Sequence, residues 1–326
     1  MKKKFGKILS GLIGLVILML IALIIYLTAI LPNVGNPPDL KVELTPERIE
    51  RGHYLAQHVM LCMDCHSERD YSRLTAPLIP NTLGKGGEVF DQNMGLPGRF
   101  VAPNITPAEL SDWTDGEIFR AITTGVSKDG HALFPIMPYP NYSQLDEEDI
   151  KSVIAYIRTL KPIEHEVEKS RPDFPVNLLI NTMPKPANLK AKPPKSDRIN
   201  YGRYMATAAS CTDCHTIMGS NGPVAEPFSG GAEFRFPDGS VVRSANITPC
   251  EKTGIGNWTE DQFIARFKAY ADSAFVAPKI GPDDFKTVMP WTFYGKMETE
   301  DLKAIFAYLK SLSPVEKQVA LFTVSE

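Results

Sequence analysis

Two pentapeptides in the chain share the pattern C-x-x-C-H, namely Cys62-Met-Asp-Cys65-His66 and Cys211-Thr-Asp-Cys214-His215. Two thiols three positions apart can add to the two vinyl groups along one porphyrin edge, and the adjacent histidine can then bind the iron. The alternatives are a thioredoxin-like dithiol and half of a zinc site. Because the motif occurs twice, each time followed by histidine and without a βαβ pattern, the sequence predicts two covalently bound haem c groups.

A second iron ligand must come from elsewhere in each half of the chain. Four of the six histidines lie outside the pentapeptides. His53, His58 and His131 have no matched histidine in the other half, and His165 lies past the end of the first predicted domain. Met137 and Met289 do match, and each is followed by proline and an aromatic residue. A lone methionine is more often core filler, but a rigid Met-Pro turn downstream of each motif would hold a thioether at the haem face. The predicted iron ligands are therefore His66, Met137, His215 and Met289, and His/Met ligation favours positive reduction potentials.

The two halves match over much more than these motifs. Similar segments recur in a constant order with small changes in spacing: 51–56 with 201–206, 104–107 with 246–249, and 155–160 with 307–312. This pattern indicates a duplicated domain with small loop insertions. The predicted domains are 45–162 and 197–314, followed by a C-terminal tail at 315–326. Between them, the proline-rich stretch 163–196 predicts a semi-rigid linker, in which the apolar patch 176–180 is expected to pack on a domain surface.

The local patterns in each half are those of amphipathic helices. Residues 150–160 and 302–312 place apolar side chains at the helical spacing i, i+3, i+4, i+7. Thr114 with Glu117, and Thr259 with Gln262, form capping-box patterns at helix starts. Strand signals are nearly confined to 234–243. The predicted fold class is all-α, with two tandem domains of the same fold.

The N-terminus has a different composition from the rest of the chain. A basic start at 1–7 precedes the uncharged apolar run 8–31, which is long enough to cross a bilayer. A cleaved signal peptide is the alternative. By the positive-inside rule, residues 1–7 are cytoplasmic, and the tether 32–44 and everything after it are exported. The predicted location is therefore a bacterial inner membrane with the globular part on the periplasmic side. The formal net charge of −3 argues against nucleic-acid binding.

Each half resembles a class I cytochrome c domain, with the CxxCH after the first helix and the methionine before the last. The chain also resembles the cytochrome c subunits of membrane-bound alcohol and gluconate dehydrogenases. The segments that carry this resemblance are Asn-Ile-Thr-Pro in both halves, residues 254–259, Met-Pro-Tyr and residues 307–312. Those subunits usually carry three CxxCH units and lack an N-terminal span, whereas this chain has two units and a candidate span. The resemblance implies compact helical domains with axial pairs His66/Met137 and His215/Met289.

The resemblance also implies residues near the haem propionates. In that family the Asn-Ile-Thr region and the tryptophan after it lie there, which assigns four residues of this chain: Asn104, Trp113, Asn246 and Trp258. Arg99 and Arg243 precede these loops and are predicted to neutralise propionates. Cys250 has no counterpart in the first half, and an inert buried thiol is favoured over an intermolecular disulfide.

The predicted function is electron transfer without enzymatic turnover, because both axial positions of each iron would be filled. The donor would be a respiratory or periplasmic protein such as a dehydrogenase, and the acceptor an oxidase or soluble cytochrome. A dihaem cytochrome c peroxidase is the alternative and would require one haem with an open or displaceable sixth ligand. A sensor or gas-binding module that signals through a tether is a third hypothesis, which the lack of an output domain in the sequence disfavours.

Overall fold

The computed structural model describes residues 2–219, 222–236, 238–272, 275–281 and 284–324. Met1 of the predicted cytoplasmic start, Pro237 of the predicted strand stretch, and Ser325 and Glu326 of the predicted tail lie outside the described residues.

One long apolar helix begins the chain. Helix α1 spans Lys2–Ile25 and continues as a π-helical turn over Tyr26–Ile30. The candidate span Lys4–Ile30 has 27 residues, and an 18-residue window within it has a mean hydropathy of 3.1 and is 0% buried. Its length and composition suit either a membrane anchor or a signal peptide.

The remaining helices fall into two similar sets joined by one short helix. The first set is α2 (Pro46–Tyr54), α3 (Cys62–Cys65), α4 (Pro107–Leu110), α5 (Asp115–Thr124), α6 (Tyr139–Tyr142) and α7 (Glu147–Arg158). Helix α8 (Val176–Leu179) lies in the connection. The second set is α9 (Arg198–Ala208), α10 (Cys211–His215), α11 (Glu260–Lys268), α12 (Trp291–Tyr294) and α13 (Thr299–Lys310). Short 3₁₀ turns cover Gln92–Met94 and Ile180–Thr182.

The all-α prediction is not confirmed, because 40% of the chain is helical and several small sheets are present. The strands within the described residues are β1 (Val89–Phe90), β2 (Gly98–Val101), β3 (Arg171–Pro172), β4 (Met218–Gly219), β5 (Gly222–Pro223), β6 (Glu233–Arg235), β7 (Val241–Arg243) and β8 (Phe322–Thr323). They pair antiparallel in the orders β1-β2-β3, β4-β5 and β6-β7-β8. Strands of two to four residues are too short to show the two-residue alternation by which a strand is predicted.

In each half the first helix crosses the last helix at a glycine. A Cβ added to Gly52 in α2 would lie 1.8 Å from the carbonyl oxygen of Ser152 in α7. A Cβ added to Gly202 in α9 would lie 1.9 Å from that of Ala304 in α13. Only glycine lets the two backbones approach this closely, so these crossings fix the framework that carries each CxxCH segment.

A one-residue difference between the halves appears as a change in helix type. The chain from Ala56 to Cys62 is one residue longer than the chain from Ala206 to Cys211. In the first half, a π-helical turn over Leu55–Val59 takes up the extra residue. The second CxxCH segment follows α9 without such a turn.

The two halves contact each other through reciprocal hydrogen bonds. The Tyr54 hydroxyl donates to Asp301 Oδ2 at 2.6 Å. The Tyr204 hydroxyl donates to Asp149 Oδ2 at 2.6 Å. Asp149 also accepts two hydrogen bonds from Arg51, at 3.0 and 2.8 Å. Each tyrosine lies on the first helix of its half and each aspartate near the start of the last helix of the other half. The contact therefore has approximate two-fold symmetry, and a buried apolar core runs through both halves.

Candidate haem-binding sites

Each CxxCH segment lies on a single helical turn, α3 in the first half and α10 in the second. Each turn follows a non-glycine residue in the left-handed region, Leu61 at φ 56° and Ser210 at φ 51°. Residues three apart on such a turn lie on the same side, so both thiols of a motif face one direction. All five cysteines are free of disulfides, and four thiols are therefore available to form thioethers.

Burial keeps these thiols protonated. It raises the pKa of Cys62 and Cys211 to about 12, and it also raises the pKa of Cys65. A redox-active dithiol needs a lowered pKa, so the thioredoxin-like alternative is not supported. Within the described part of the chain, no group of three or more His, Cys, Asp or Glu side chains is arranged to hold a metal ion. A structural zinc site would need four such ligands.

The histidine of each motif is oriented through one ring nitrogen. His66 Nδ1 lies 2.7 Å from the carbonyl oxygen of Pro103, and His215 Nδ1 lies 2.8 Å from that of Ala245. A carbonyl oxygen only accepts, so Nδ1 carries the proton in both residues and the lone pair is on Nε2. Burial lowers the pKa of both imidazoles, which keeps them neutral. An imidazole fixed in this way is suited to bind iron, and the residues present fit a haem c.

Two glycines hold the histidine segment against the loop that orients it. Gly86 (φ +74°) donates its N–H to the His66 carbonyl at 2.9 Å, and Gly230 (φ +70°) donates to the His215 carbonyl at 2.8 Å. A Cβ on Gly86 would lie 2.5 Å from backbone atoms of Pro103 and Asn104. Neither glycine was predicted as part of the site, although the Gly-Gly pairs at 86–87 and 230–231 recur in the two halves.

Asn104 and Asn246 organise the loops that follow. Asn104 Nδ2 donates to the carbonyl of Ile163 at 2.8 Å, and its Oδ1 accepts from the N–H of Thr106 at 2.9 Å. Asn246 repeats both contacts, to the carbonyl of Val315 at 2.8 Å and from Thr248 at 3.0 Å. Each asparagine thus ties its Asn-Ile-Thr-Pro loop to the chain that follows the last helix of the half.

The two predicted methionine ligands have the same backbone geometry. The Met137 carbonyl accepts from the Tyr139 N–H at 2.7 Å, and the Met289 carbonyl accepts from the Trp291 N–H at 2.8 Å. Pro138, between Met137 and Tyr139, has φ −77° and ψ 48°. Pro290, between Met289 and Trp291, has φ −81° and ψ 63°. Both turns are inverse γ-turns. Both methionines are partly buried and pack against the main core. Their pairing with His66 and His215 on one iron each stays a prediction.

The remaining predicted residues lie in less similar surroundings. Trp113 packs against the main core, whereas Trp258 is 37% exposed. Arg99 Nε donates to Glu168 at 3.2 Å, and Arg243 is 2.9 Å from Glu233. Both arginines therefore have carboxylate partners within the protein, and their contact with propionates stays a prediction. Cys250 is 7% exposed.

The methionine-bearing segment of the first half reaches the CxxCH segment of the second. Asn141, four residues after Met137, donates from Nδ2 to Ser210 Oγ at 3.1 Å and to Asp213 Oδ2 at 2.9 Å. Tyr142 donates to the carbonyl of Met60 at 2.6 Å, just before the first CxxCH. The two candidate sites are thus adjacent parts of one packed body.

Known proteins similar to this chain are cytochrome c subunits of dehydrogenases and a diheme cytochrome c. No family model matches the chain. The fructose dehydrogenase cytochrome subunit of Gluconobacter japonicus is 30% identical over 233 residues, which cover 68% of the chain and 44% of that protein. The alcohol dehydrogenase (quinone) cytochrome c subunit of Gluconacetobacter polyoxogenes is 29% identical over 250 residues, 69% of the chain and 50% of that protein. A diheme cytochrome c-type protein of Cereibacter sphaeroides is 26% identical over 299 residues, which cover 87% of the chain and 92% of that protein.

The chain spans about half the length of the first two relatives. These relatives match the resemblance drawn from the sequence motifs. The chain is therefore related to the cytochrome c subunits of fructose and alcohol dehydrogenases and to a diheme cytochrome c.

Proposed function

We propose that this protein is a membrane-anchored dihaem c-type cytochrome that carries electrons, with one haem in each half. When bound, the haem iron supplies reversible one-electron chemistry. The observation that carries the proposal is the repeated CxxCH turn, in which a carbonyl fixes each histidine so that Nε2 is available to iron. The chain's own role is to hold two such sites rigidly, since both are built on the same packed core.

In each site, two cysteines would form the thioethers, and a histidine and a methionine would bind the iron. The first set is Cys62, Cys65, His66 and Met137, and the second is Cys211, Cys214, His215 and Met289. The propionates would lie near Asn104, Trp113 and Arg99 in domain 45–162, and near Asn246, Trp258 and Arg243 in domain 197–314. The matched inverse γ-turns at the two methionines support their assignment.

The donor we propose is a dehydrogenase, because the names of the relatives are those of dehydrogenase cytochrome subunits. The acceptor would be an oxidase or a soluble cytochrome. The apolar run 8–31 would anchor the chain in a bacterial inner membrane, with residues 1–7 in the cytoplasm and the haem domains on the periplasmic side. The unburied surface of Lys4–Ile30 supports its crossing of a membrane, and the lysines that precede the apolar run support the cytoplasmic side for residues 1–7.

A spectroscopic redox titration of the purified full chain, combined with a hydrogen peroxide turnover assay, tests the proposal. Two His/Met haems titrate at positive potentials, and without an open coordination site they do not turn over peroxide. Steady peroxide consumption would overturn the carrier function in favour of the peroxidase alternative. A strongly negative potential for either haem would remove the matched methionine from its ligand set.

A further inference from the structure

One segment of the connection between the halves contacts the end of the N-terminal helix. Helix α8 and the 3₁₀ turn Ile180–Thr182 both pack against the π-helical turn Tyr26–Ile30. Asn181 Nδ2 donates to the carbonyl oxygen of Leu27 at 2.9 Å. We call residues 174–183 the juxtamembrane segment.

The hydrogen bond from Asn181 replaces a donor that the backbone lacks. In a π-helical turn the carbonyl of residue i accepts from the N–H of residue i+5, as Tyr26 does from Leu31 at 3.1 Å. The corresponding donor for Leu27 would be Pro32, which has no N–H. An unsatisfied carbonyl is costly in hydrocarbon. The Asn181 amide therefore supplies the donor that the Leu27 carbonyl lacks.

The position of Leu27 sets the depth of this contact. The apolar run begins at Ile8, directly after the last lysine of the basic start. At a rise of 1.5 Å per residue, the twenty residues from Ile8 to Leu27 span about 30 Å, which is about the thickness of the hydrocarbon core. If the helix crosses a bilayer, Leu27 and Asn181 therefore lie at the exported boundary of that core.

The juxtamembrane segment is held on one side and leaves apolar side chains uncovered on another. Ile180 is buried with Phe100 and Ala132, so the segment is packed onto the first half. Phe174 is 79% exposed and Leu179 is 44% exposed. Exposed aromatic and aliphatic side chains on a segment at this depth suit the headgroup and acyl boundary of a bilayer.

We infer that residues 174–183 form a second membrane contact, in which Phe174 and Leu179 insert into the interface of a lipid bilayer. The contact orients the first half relative to the membrane, because the segment is tied both to the apolar helix and to the body of that half. This inference rests on the proposed anchoring by residues 8–31.

Spin-label accessibility in the haem-loaded full chain tests this inference. A nitroxide is placed at Phe174→Cys, and at Val276→Cys as the control, since Val276 is 74% exposed in the second half. Labelling of the unsubstituted chain measures the background from the buried Cys250. The protein is reconstituted into vesicles of phosphatidylcholine, and collision of the label with oxygen and with a water-soluble nickel chelate is measured.

We expect the Phe174 label to collide more with oxygen and less with the chelate than the Val276 label does, since oxygen partitions into lipid. Equal chelate access at both sites, in protein that still sediments with the vesicles, overturns the inference and leaves the anchoring intact. Protein that does not sediment with the vesicles overturns the anchoring, and the inference with it. If the Phe174 label is shielded from the chelate in native membranes but not in lipid vesicles, the inference is overturned and the surface is assigned to a protein partner instead.

Discussion

Gly86 offers a test of how the protein holds its first haem ligand. A Cβ at this position would lie 2.5 Å from the Asn104 nitrogen and 2.6 Å from the Pro103 oxygen, the acceptor of the His66 hydrogen bond. Gly86 also has a φ of +74°. Substitution by alanine therefore adds both backbone strain and an overlap, and the overlap pushes the Pro103 carbonyl away from His66.

The two effects have separable magnitudes. A left-handed conformation costs a non-glycine residue about 1–2 kcal/mol, and insertion of a methyl group into packed backbone costs about 1–3 kcal/mol. We therefore expect Gly86→Ala to lower the free energy of unfolding by about 2–5 kcal/mol. Gly130, with a φ of +90° and nothing within 4 Å of an added Cβ, is the matched control. Gly130→Ala carries only the strain, about 1–2 kcal/mol.

The assay is guanidinium unfolding of the haem-loaded full chain in detergent, with the difference between the two variants as the readout. A second readout is the redox midpoint of the first haem, which the displaced Pro103 carbonyl should shift in Gly86→Ala only. If both alanine variants lose the same free energy and leave the midpoint unchanged, the contact between the Gly86 turn and the Pro103 loop does not position His66.

Three further perturbations have defined outcomes. Met289→Ala should lower the potential of one haem and open it to added ligands while the other haem is unchanged, as a redox titration would reveal; an unaltered titration would remove Met289 from the ligands. Tyr54→Phe removes the hydrogen bond to the buried carboxylate of Asp301 and should lower the free energy of unfolding by about 1.5–3 kcal/mol; no change would mean that this bond does not hold the halves together. Burial and the nearby Lys296 lower the pKa of His58 to about 4. The unfolded chain therefore takes up this proton first, and stability should fall by up to about 3 kcal/mol as the pH drops from about 6.5 to about 4. Denaturation at both pH values measures this loss, and His58→Gln should reduce it.

Local sequence signals predicted the helix starts well. Thr114 with Glu117 and Thr259 with Gln262 form the expected capping boxes, and Thr45 accepts from the Arg48 N–H beside Pro46. These signals are reliable because each depends on residues within one turn of helix. The CxxCH turns and the Met-Pro turns could likewise be recognised from the sequence, because each depends on a few consecutive residues.

The features that the sequence did not predict depend on distant residues. Strand β3 pairs with β2 across 69 or more residues of intervening chain, and β8 pairs with β7 from the C-terminal tail. Periodicity reports which side of an element is apolar, but not which surface it meets. The reciprocal contact of Tyr54 with Asp301 and of Tyr204 with Asp149 was therefore invisible before the fold was known. The only sequence signal of the π-helical turn Leu55–Val59 is the one-residue difference in length between the two halves.

Haem stoichiometry by the pyridine haemochrome assay tests the dihaem assignment most directly. It is measured on the full chain and on two double variants, Cys62→Ser/Cys65→Ser and Cys211→Ser/Cys214→Ser. We expect two covalent haems per full chain and one in each double variant, since each pair of thiols holds its own haem. A single haem in the full chain, or two haems in either double variant, would contradict the assignment of one haem to each half.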